Sequence, residues 1–205
     1  MKSKKLVYGV GINDADYVTQ VMETIGYVNG KRKQKLIWFC PYHRTWRSML
    51  QRCYSPKLQE THPTYKGCSV SEEWLTFSNF RRWMENQDFE GKHLDKDLLF
   101  VGNKVYSAET CVFVPKEVNL FTIDRGADRG EWPIGVYRHK SGKFQAECNN
   151  PFTKKGEYLG LFTCELEAHQ EWLKRKLELA HLFAEEQTDE RVAKALIDRY
   201  TNYNI

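Results

Sequence analysis

The spacing of hydrophobic and polar residues changes along the chain, and the changes predict where strands and helices lie. Between residues 6 and 40, short apolar runs flank the pair Asn29-Gly30, a pattern typical of two strands joined in a β-hairpin. Residues 43–54 change to helical spacing, with apolar residues at i, i+3, i+4 and i+7. The residues of this stripe are Trp46, Met49, Leu50 and Cys53. The front of the chain therefore combines a hairpin with an amphipathic helix.

A second helix and a compact group of short elements are predicted in the middle of the chain. After Ser71, apolar residues again follow a helical period, and they are Trp74, Phe77, Phe80, Trp83 and Met84. The segment 93–119 then contains two short strands around Gly102-Asn103 and a third apolar run at 111–114. Pro115 opens a helical turn that extends to Asn119.

The last third of the chain predicts a small sheet followed by helices. Three β-type runs, at 134–137, 143–148 and 157–162, are separated by good turn sequences. Thr163 is predicted to cap a helix that has acidic residues in its first turns. A further amphipathic helix is expected over residues 189–200.

Charge adds a hint about partners. The net charge is only +4, but residues 1–60 contain eleven Lys/Arg against four Asp/Glu, whereas residues 161–205 contain six against nine. A basic front suits a protein that binds a polyanion such as nucleic acid, although ordinary surface charge explains it equally well. The sequence has no apolar run of bilayer length and no signal-peptide pattern, so we expect no membrane contact and reduced cysteines.

The middle third of the chain resembles phage and prophage HNH homing-type endonucleases. The matching residues are Trp46, Met49, Arg52 and Cys53, then Trp74, Phe77 and Phe80, then Leu94-Asp95-Lys96, Gly102-Asn103, Tyr106-Ser107, Glu109, Cys111 and Asn119. The resemblance implies a ββα-metal fold that holds one divalent cation, Mg²⁺ or a similar ion, against a DNA phosphate.

The resemblance also implies roles for individual residues. Asp95 falls on the metal-ligand position, Asn103 is the second candidate ligand, and Asn119 lies on the following helix. Lys96 stands where the family has its general-base histidine, and as a cation it would hold a phosphate. His93 lies on the same strand face as Asp95 and is the substitute base. The alternative is that His93 is a solvated residue and that Asp95 only orients a turn.

A structural zinc site is not expected. Cys40 and His43 have a Cys-x-x-His spacing, and Cys53 and Cys68 are the possible partners. Their spacing is irregular, and Cys53 falls within an apolar helical stripe, which is typical of a small core residue.

The C-terminal sheet and helix resemble the Apetala-type DNA-binding domain. The matching residues are Gly135-Val136, Gly142-Lys143-Phe144, Ala146, Leu159-Gly160, Phe162 and Ala168. The resemblance implies that a three-stranded sheet enters the major groove and that a helix supports it from behind. Candidate DNA contacts in the whole chain are Arg44, Arg47, Arg138, Lys140, Lys143, Gln145, Lys154 and Lys155. For Arg44 and Arg47, an ordinary solvated face is an equal alternative. Arg138 or Gln145 would contact base edges, and the lysines would contact phosphates.

We therefore expect an α+β protein that binds duplex DNA in the cytoplasm, of the host cell if it is phage-encoded. Its predicted parts are a basic β-rich segment (1–42), an HNH-like ββα-metal domain with flanking helices (43–123), a linker (124–132), a small three-stranded antiparallel sheet plus helix (133–180) and a helical tail (181–205). The expected activity is nicking or cleavage of DNA with one divalent metal. A non-catalytic DNA-binding regulator and a protein-interaction module are the alternatives. No small-molecule substrate is expected, and the sequence leaves the oligomeric state open.

Overall fold

The structure is a computed structural model that describes residues 5–123 and 131–203. The protein is mixed α+β and consists of small sheets and helices, as predicted. It folds as two compact units, Met1–Glu90 with Gly102–Phe113 and Gly91–Val101 with Val114–Ile205. The predicted linker falls mostly on residues 124–130, outside the described residues. The predicted division into five parts stays a prediction.

The predicted hairpin near the N-terminus is present. Strands β1 (Gln20–Val28) and β2 (Lys31–Phe39) pair in antiparallel fashion. The turn between them is Asn29-Gly30, and both residues have positive φ angles, 48° and 73°. This backbone conformation favours the Asn-Gly sequence, which explains why the turn was predictable.

The first predicted helix is also confirmed. Helix α1 (Pro41–Tyr54) buries its apolar stripe, which consists of Trp46, Met49, Leu50 and Cys53. The short helix α2 (Pro56–Thr61) follows, and the Ser55 hydroxyl accepts a hydrogen bond from the backbone N–H of Leu58 at 3.4 Å.

The rest of the first unit packs around two tryptophans. It contains strand β3 (Ser69–Val70), a 3-10 turn (Glu72–Leu75) and helix α3 (Phe77–Met84). Trp46 Nε1 donates a hydrogen bond to the Trp74 carbonyl at 2.7 Å, and the Trp74 ring lies edge-on to Phe80. Both tryptophan side chains are buried, and the indole N–H of Trp46 has its hydrogen-bond partner.

Two short strands flank Gly102, as predicted. The sequence did not predict that they belong to different compact units. They are β4 (His93–Asp95), which belongs to the second unit, and β5 (Val105–Tyr106), which belongs to the first. Strand β5 pairs in parallel with β3. A third strand, β6 (Val112–Val114), leads through Pro115 into helix α4 (Lys116–Thr122). Helix α4 packs against β4.

The C-terminal sheet and helices match the predicted pattern. Strands β7 (Val136–Arg138), β8 (Phe144–Asn150) and β9 (Lys155–Phe162) form an antiparallel sheet in the order β7-β8-β9. Helices α5 (Glu165–Glu185) and α6 (Glu190–Thr201) follow. The predicted cap at Thr163 is wrong. Cys164 occupies the N-cap position, and its side chain makes no capping hydrogen bond.

Three side-chain donors from α5 and α6 satisfy carbonyls at the end of α4. Lys176 Nζ and the Tyr200 hydroxyl both donate to the Phe121 carbonyl, at 2.9 and 3.0 Å. Arg199 donates to the Thr122 carbonyl at 2.8 Å. Carbonyls in the last turn of a helix have no partner within that helix, so these bonds attach α4 to the C-terminal helices. Within the described residues, no helix is long and apolar enough to span a membrane.

Candidate nucleic-acid interface

The sheet of β7, β8 and β9 has one buried face and one exposed face. The buried face contains Val136, Phe144 and Ala146, which pack with Ala168 of α5. Because neighbouring residues of a strand point to opposite faces, the residues between them point outward. The outward residues are Tyr137, Gln145, Glu147, Asn149, Tyr158 and Leu161. In the register Gln145 opposes Tyr137 and Leu161, Glu147 opposes Tyr158, and Asn149 opposes Gly156. Tyr137 and Tyr158 are 56% and 62% exposed.

Close packing of α5 fixes the orientation of this sheet. Gly135, directly before β7, has a φ of +79°, and a Cβ built on it would lie 2.0 Å from Trp172 Cδ1. The indole ring thus occupies space that any larger residue at position 135 would need. Arg175 of α5 also donates to both carboxylate oxygens of Glu157 in β9, at 2.7 and 3.2 Å. Hydrogen bonds from Arg175 and Asn150 lower the pKa of the Glu157 carboxyl.

Predicted lysine contacts lie at both ends of the exposed face. Lys140 and Lys143 are exposed in the turn between β7 and β8, and Lys154 is exposed in the turn between β8 and β9. Lys155 is exposed at the start of β9, but it opposes Asn150 in the register and so belongs to the row of the buried face. Since successive turns of an antiparallel sheet lie at opposite ends of the shared strand, the positive charges flank the outward residues of β8.

The two predicted base-contact residues have different positions. Gln145 is on the outward face, where its Nε2 lies 3.4 Å from Glu147 Oε2. Arg138 opposes Phe144 in the register, and its guanidinium lies over the Phe144 ring at 4.6 Å and near the Trp132 ring at 5.9 Å. Arg138 is exposed but belongs to the row of the buried face, at the edge strand.

Five outward residues were not among the predicted contacts: Tyr137, Glu147, Asn149, Tyr158 and Leu161. A two-residue period was visible in β8, where polar residues at 145, 147 and 149 alternate with Phe144, Ala146 and Cys148. This period identifies Glu147 and Asn149, whereas Tyr137, Tyr158 and Leu161 are found only from the register between strands. Gly156 supports this side of the sheet, since a Cβ there would lie 2.5 Å from Glu147 Oε1.

A buried lysine lies within the helix that supports the sheet. Lys176 of α5 is 9% exposed, and its ammonium lies 3.4 Å from the centre of the Phe121 ring and 5.0 Å from that of Tyr200. Burial lowers the pKa of Lys176 to about 8, while the neighbouring Cys148 opposes this shift and Arg199 adds to it. Lys176 therefore serves the packing of the helices and is not available to DNA.

Arg44 and Arg47, the predicted contacts in the first unit, are both exposed on α1, away from its buried stripe. They are in a different compact unit from the sheet. The nearby His43 is buried, and burial together with the charge of Arg47 lowers its pKa.

In the segment for which the sequence predicts an HNH-like site, Asp95 closes a turn of its own backbone. Its Oδ1 accepts hydrogen bonds from the N–H groups of Asp97 and Leu98, at 2.9 and 2.7 Å. Burial, and next the neighbouring Asp97 carboxylate, raises the pKa of Asp95. Lys96 is 7% exposed and its Nζ lies 3.2 Å from Asp97 Oδ2, whereas His93 is exposed.

The two predicted asparagines belong to different compact units. Asn103 belongs to the first unit, where its side chain donates to the Val105 carbonyl at 2.7 Å and accepts from the Val105 N–H at 3.2 Å. Asn119 belongs to the second unit and is half-buried in α4.

The donors around Asp95 do not fit a ready-made divalent-metal site. A hard cation such as Mg²⁺ prefers several oxygen ligands, usually including a free carboxylate. One oxygen of Asp95 is already engaged by two backbone N–H groups. In the part of the chain that the structure describes, no three His, Cys, Asp or Glu side chains come together to hold a metal.

Comparison with known proteins gives one partial match. Over 48 residues, the chain is 42% identical to the ethylene-responsive transcription factor ERF116 of Arabidopsis thaliana. The match covers 23% of this chain and 17% of the relative. No protein family model matches the chain, and no solved structure is significantly similar to it.

Proposed function

We propose that this protein binds duplex DNA through the outward face of the sheet formed by β7, β8 and β9. The observation that carries this proposal is the division of the sheet into two faces. One face packs on α5, and the other exposes polar and aromatic side chains between lysines at both ends. The major groove of B-DNA accommodates β-structure as well as a helix, and proteins that use strands there are known.

The outward side chains supply suitable chemistry for base recognition. Gln145 and Asn149 carry amides, which pair with the exposed edge of adenine. Glu147 carries an acceptor for the amino group of cytosine. Lys140, Lys143 and Lys154 supply charge for phosphates, which fixes position without selecting sequence. The face therefore combines groups for selection with groups for affinity.

The partial match supports the same conclusion. The relative is named as a transcription factor, a class of protein that acts at DNA. Within residues 133–180, the sequence resembles the Apetala-type DNA-binding domain. We therefore assign the matched stretch to the sheet and α5.

Selection of binding sites from a random duplex library by the full-length protein tests this proposal. We expect an enriched sequence that binds more tightly than a scrambled duplex. Replacing Gln145 or Asn149 with Ala should reduce the discrimination by about 1–3 kcal/mol for each base that the side chain recognises. His181→Ala, at an exposed position of α5, is the matched control and should leave it unchanged. Equal affinity for all duplexes, in the wild type, would contradict sequence selection.

Metal-dependent DNA cleavage is the second candidate function. One observation favours it: β4, which carries His93 and Asp95, packs against α4, which carries Asn119, in the strand-then-helix order of a ββα nuclease. On this proposal, Asp95 would ligate a divalent cation such as Mg²⁺. In the structure, one oxygen of this carboxylate is turned into its own backbone.

Incubation of the protein with its source DNA and Mg²⁺ or Mn²⁺, followed by mapping of breaks, separates the two candidates. A nuclease should produce breaks that disappear in Asp95→Asn, which keeps an acceptor for the turn and removes the charge. Binding without breaks under either metal would leave a non-catalytic DNA-binding protein. Absence of binding even at low salt would leave a protein-interaction module.

A further inference from the structure

The hairpin of β1 and β2 is exposed on both of its faces. Its two strands contain nine residues each, all within the described part of the chain, and none of their side chains is buried. An isolated two-stranded hairpin is at best marginally stable in water, because neither face is covered. Several of its large apolar side chains are also exposed, including Tyr27 at 66% and Ile37 at 53%. A surface of this kind suggests contact with a partner.

Positive charge is concentrated on one face of this hairpin. Lys31, Lys33 and Lys35 alternate along β2, so their side chains point to the same side. Their spacing is about 6.6 Å, from two strand residues at about 3.3 Å each. In the register they oppose Val28, Gly26 and Glu23. The lysine face therefore contains a single acidic group.

The opposite face and the tip complete a narrow arm. Arg32 opposes Tyr27 there, and Gln34 opposes Thr24. The Asn29-Gly30 turn ends the arm in two small residues. Register shifts after Val21 and after Thr24 interrupt the ladder, and such bulges increase the twist of a strand pair.

We infer that the β1–β2 hairpin is a second DNA-contacting element, which places Lys31, Lys33 and Lys35 along the phosphate backbone. This inference rests on the proposed DNA-binding function. Charge complementarity identifies the partner, since the hairpin carries four Lys/Arg residues against Glu23 alone. Its size is also suitable, because the major groove is about 12 Å wide and admits a two-stranded ribbon.

The same lysines argue against a second copy of the chain as the partner. Edge strands that add to one another must bring their outer side chains close together. Pairing through β2 would place lysines of one copy near lysines of the other, and like charges at short range repel. Lysines on an edge strand are a common means of preventing such pairing.

A salt titration of DNA binding tests this inference. Full-length wild type is compared with the triple variant Lys31→Gln, Lys33→Gln and Lys35→Gln, using the selected duplex and its scrambled form. Each phosphate that is no longer neutralised reduces the slope of log K against log[salt] by about 0.9, so three should reduce it by about 2.7. Affinity near 0.15 M salt should fall by roughly one to two orders of magnitude. The preference for the selected duplex should not change.

The matched control neutralises three exposed lysines elsewhere, with Lys57→Gln, Lys66→Gln and Lys174→Gln. It should leave slope and affinity within error of wild type, since these residues lie outside both proposed contact surfaces. The changed positions are exposed in every case, and equal melting temperatures of the three proteins will show that folding is preserved.

The possible outcomes distinguish DNA contact by the hairpin from DNA recognition by the sheet. An unchanged slope in the hairpin variant overturns the inference, whereas the function proposed for the sheet stands. A reduced slope without any selected sequence supports the hairpin and contradicts sequence recognition by the sheet. If the wild type binds no duplex at low salt, both fall. A wild-type dimer in sedimentation that the hairpin variant dissociates, with the slope unchanged, assigns the arm to a second copy instead.

Discussion

The two larger β-structures of this protein differ in what holds their side chains in place. In the sheet of β7, β8 and β9, one face is packed on α5, and β8 alternates strictly between buried and accessible residues until its end. In the β1–β2 hairpin, no residue of either strand, all of them described, is buried. A core fixes the outward side chains of the sheet, whereas only the turn and the ladder fix those of the hairpin. The sheet is thus suited to base recognition, and the hairpin to contact with phosphates.

The largest expected difference in stability is between removing a buried aromatic ring from the sheet and removing an exposed side chain from the hairpin. Phe144 is 6% exposed and packs against Trp132, whereas Leu36 of the hairpin is 47% exposed. Phe144→Ala should lower the free energy of unfolding by about 3–5 kcal/mol, because it leaves a cavity in a small core. Leu36→Ala should change it by less than about 0.5 kcal/mol, as exposed substitutions usually do. Urea denaturation measures both, and a similar loss in the two variants would contradict the comparison.

The second comparison is between alanine substitutions at two glycines with positive φ, Gly135 beside the sheet and Gly30 in the hairpin turn. At Gly135 a methyl group would collide with the Trp172 ring, whereas at Gly30 no atom lies within 4 Å of an added Cβ. Gly30→Ala should cost about 1 kcal/mol or slightly more from backbone strain alone. Gly135→Ala should cost roughly 2–4 kcal/mol, because overpacking adds to the strain. Equal thermal stabilities of the two variants would show that α5 does not pack tightly on the sheet.

The pH dependence of stability tests the buried charge behind the sheet. The pKa of Lys176 is about 8 in the folded protein, below its ordinary value of 10.5. Between these values the unfolded chain binds more protons, so stability should rise with pH from about 8 toward 10.5. A shift of this size corresponds to about 3–4 kcal/mol.

The neighbouring Cys148 also changes the pH dependence of stability, so the effect of Lys176 has to be measured against a variant that lacks it. Burial raises the pKa of Cys148 to about 11, so its deprotonation in the unfolded state lowers stability above pH 9. We therefore expect the difference in unfolding free energy between wild type and Lys176→Met to grow in favour of the wild type from pH 8 to pH 10. A difference independent of pH would show that Lys176 keeps an ordinary pKa in the folded protein.

The smallest expected change in stability comes from removing the charge of one carboxylate, Glu157 in the sheet or Glu23 in the hairpin. Glu157 accepts two hydrogen bonds from Arg175, and both side chains are about one-quarter exposed, at 28% and 27%. Glu157→Gln should lower the unfolding free energy by about 0.5–1 kcal/mol, since partly exposed ion pairs contribute little. Glu23→Gln in the hairpin should leave stability unchanged. A double-mutant cycle with Arg175→Met would isolate the pair, and a coupling of zero would exclude a role for it in attaching β9 to α5.

Local signals made most of the elements predictable. Asn29-Gly30 identified the hairpin turn, and the stripe of Trp46, Met49 and Leu50 identified α1, because both depend on residues close together in sequence. The pairing of β3 with β5 was not predictable. Each strand contains only two residues, and some 35 residues separate them, so no local period indicates the partner.

The site was only partly predictable for similar reasons. The lysines at the turns of the sheet were identified from their type and position, but Tyr137 and Tyr158 required the register between strands. Asp95 has the residue type of a metal ligand, and only the folded backbone reveals that Asp97 and Leu98 occupy one of its oxygens. The roles of His93, Lys96, Asn103 and Asn119 in catalysis stay predictions.

The most direct test of the central claim is a photo-cross-linking measurement on the full-length protein. Benzoylphenylalanine is introduced at Tyr158, which is exposed on the outward face of the sheet, or at His181, which is exposed on α5. The proposed function predicts a salt-sensitive cross-link to the selected duplex from position 158 and none from position 181. A cross-link from position 181 alone, or from neither position under conditions in which the duplex is bound, would contradict DNA binding by this face.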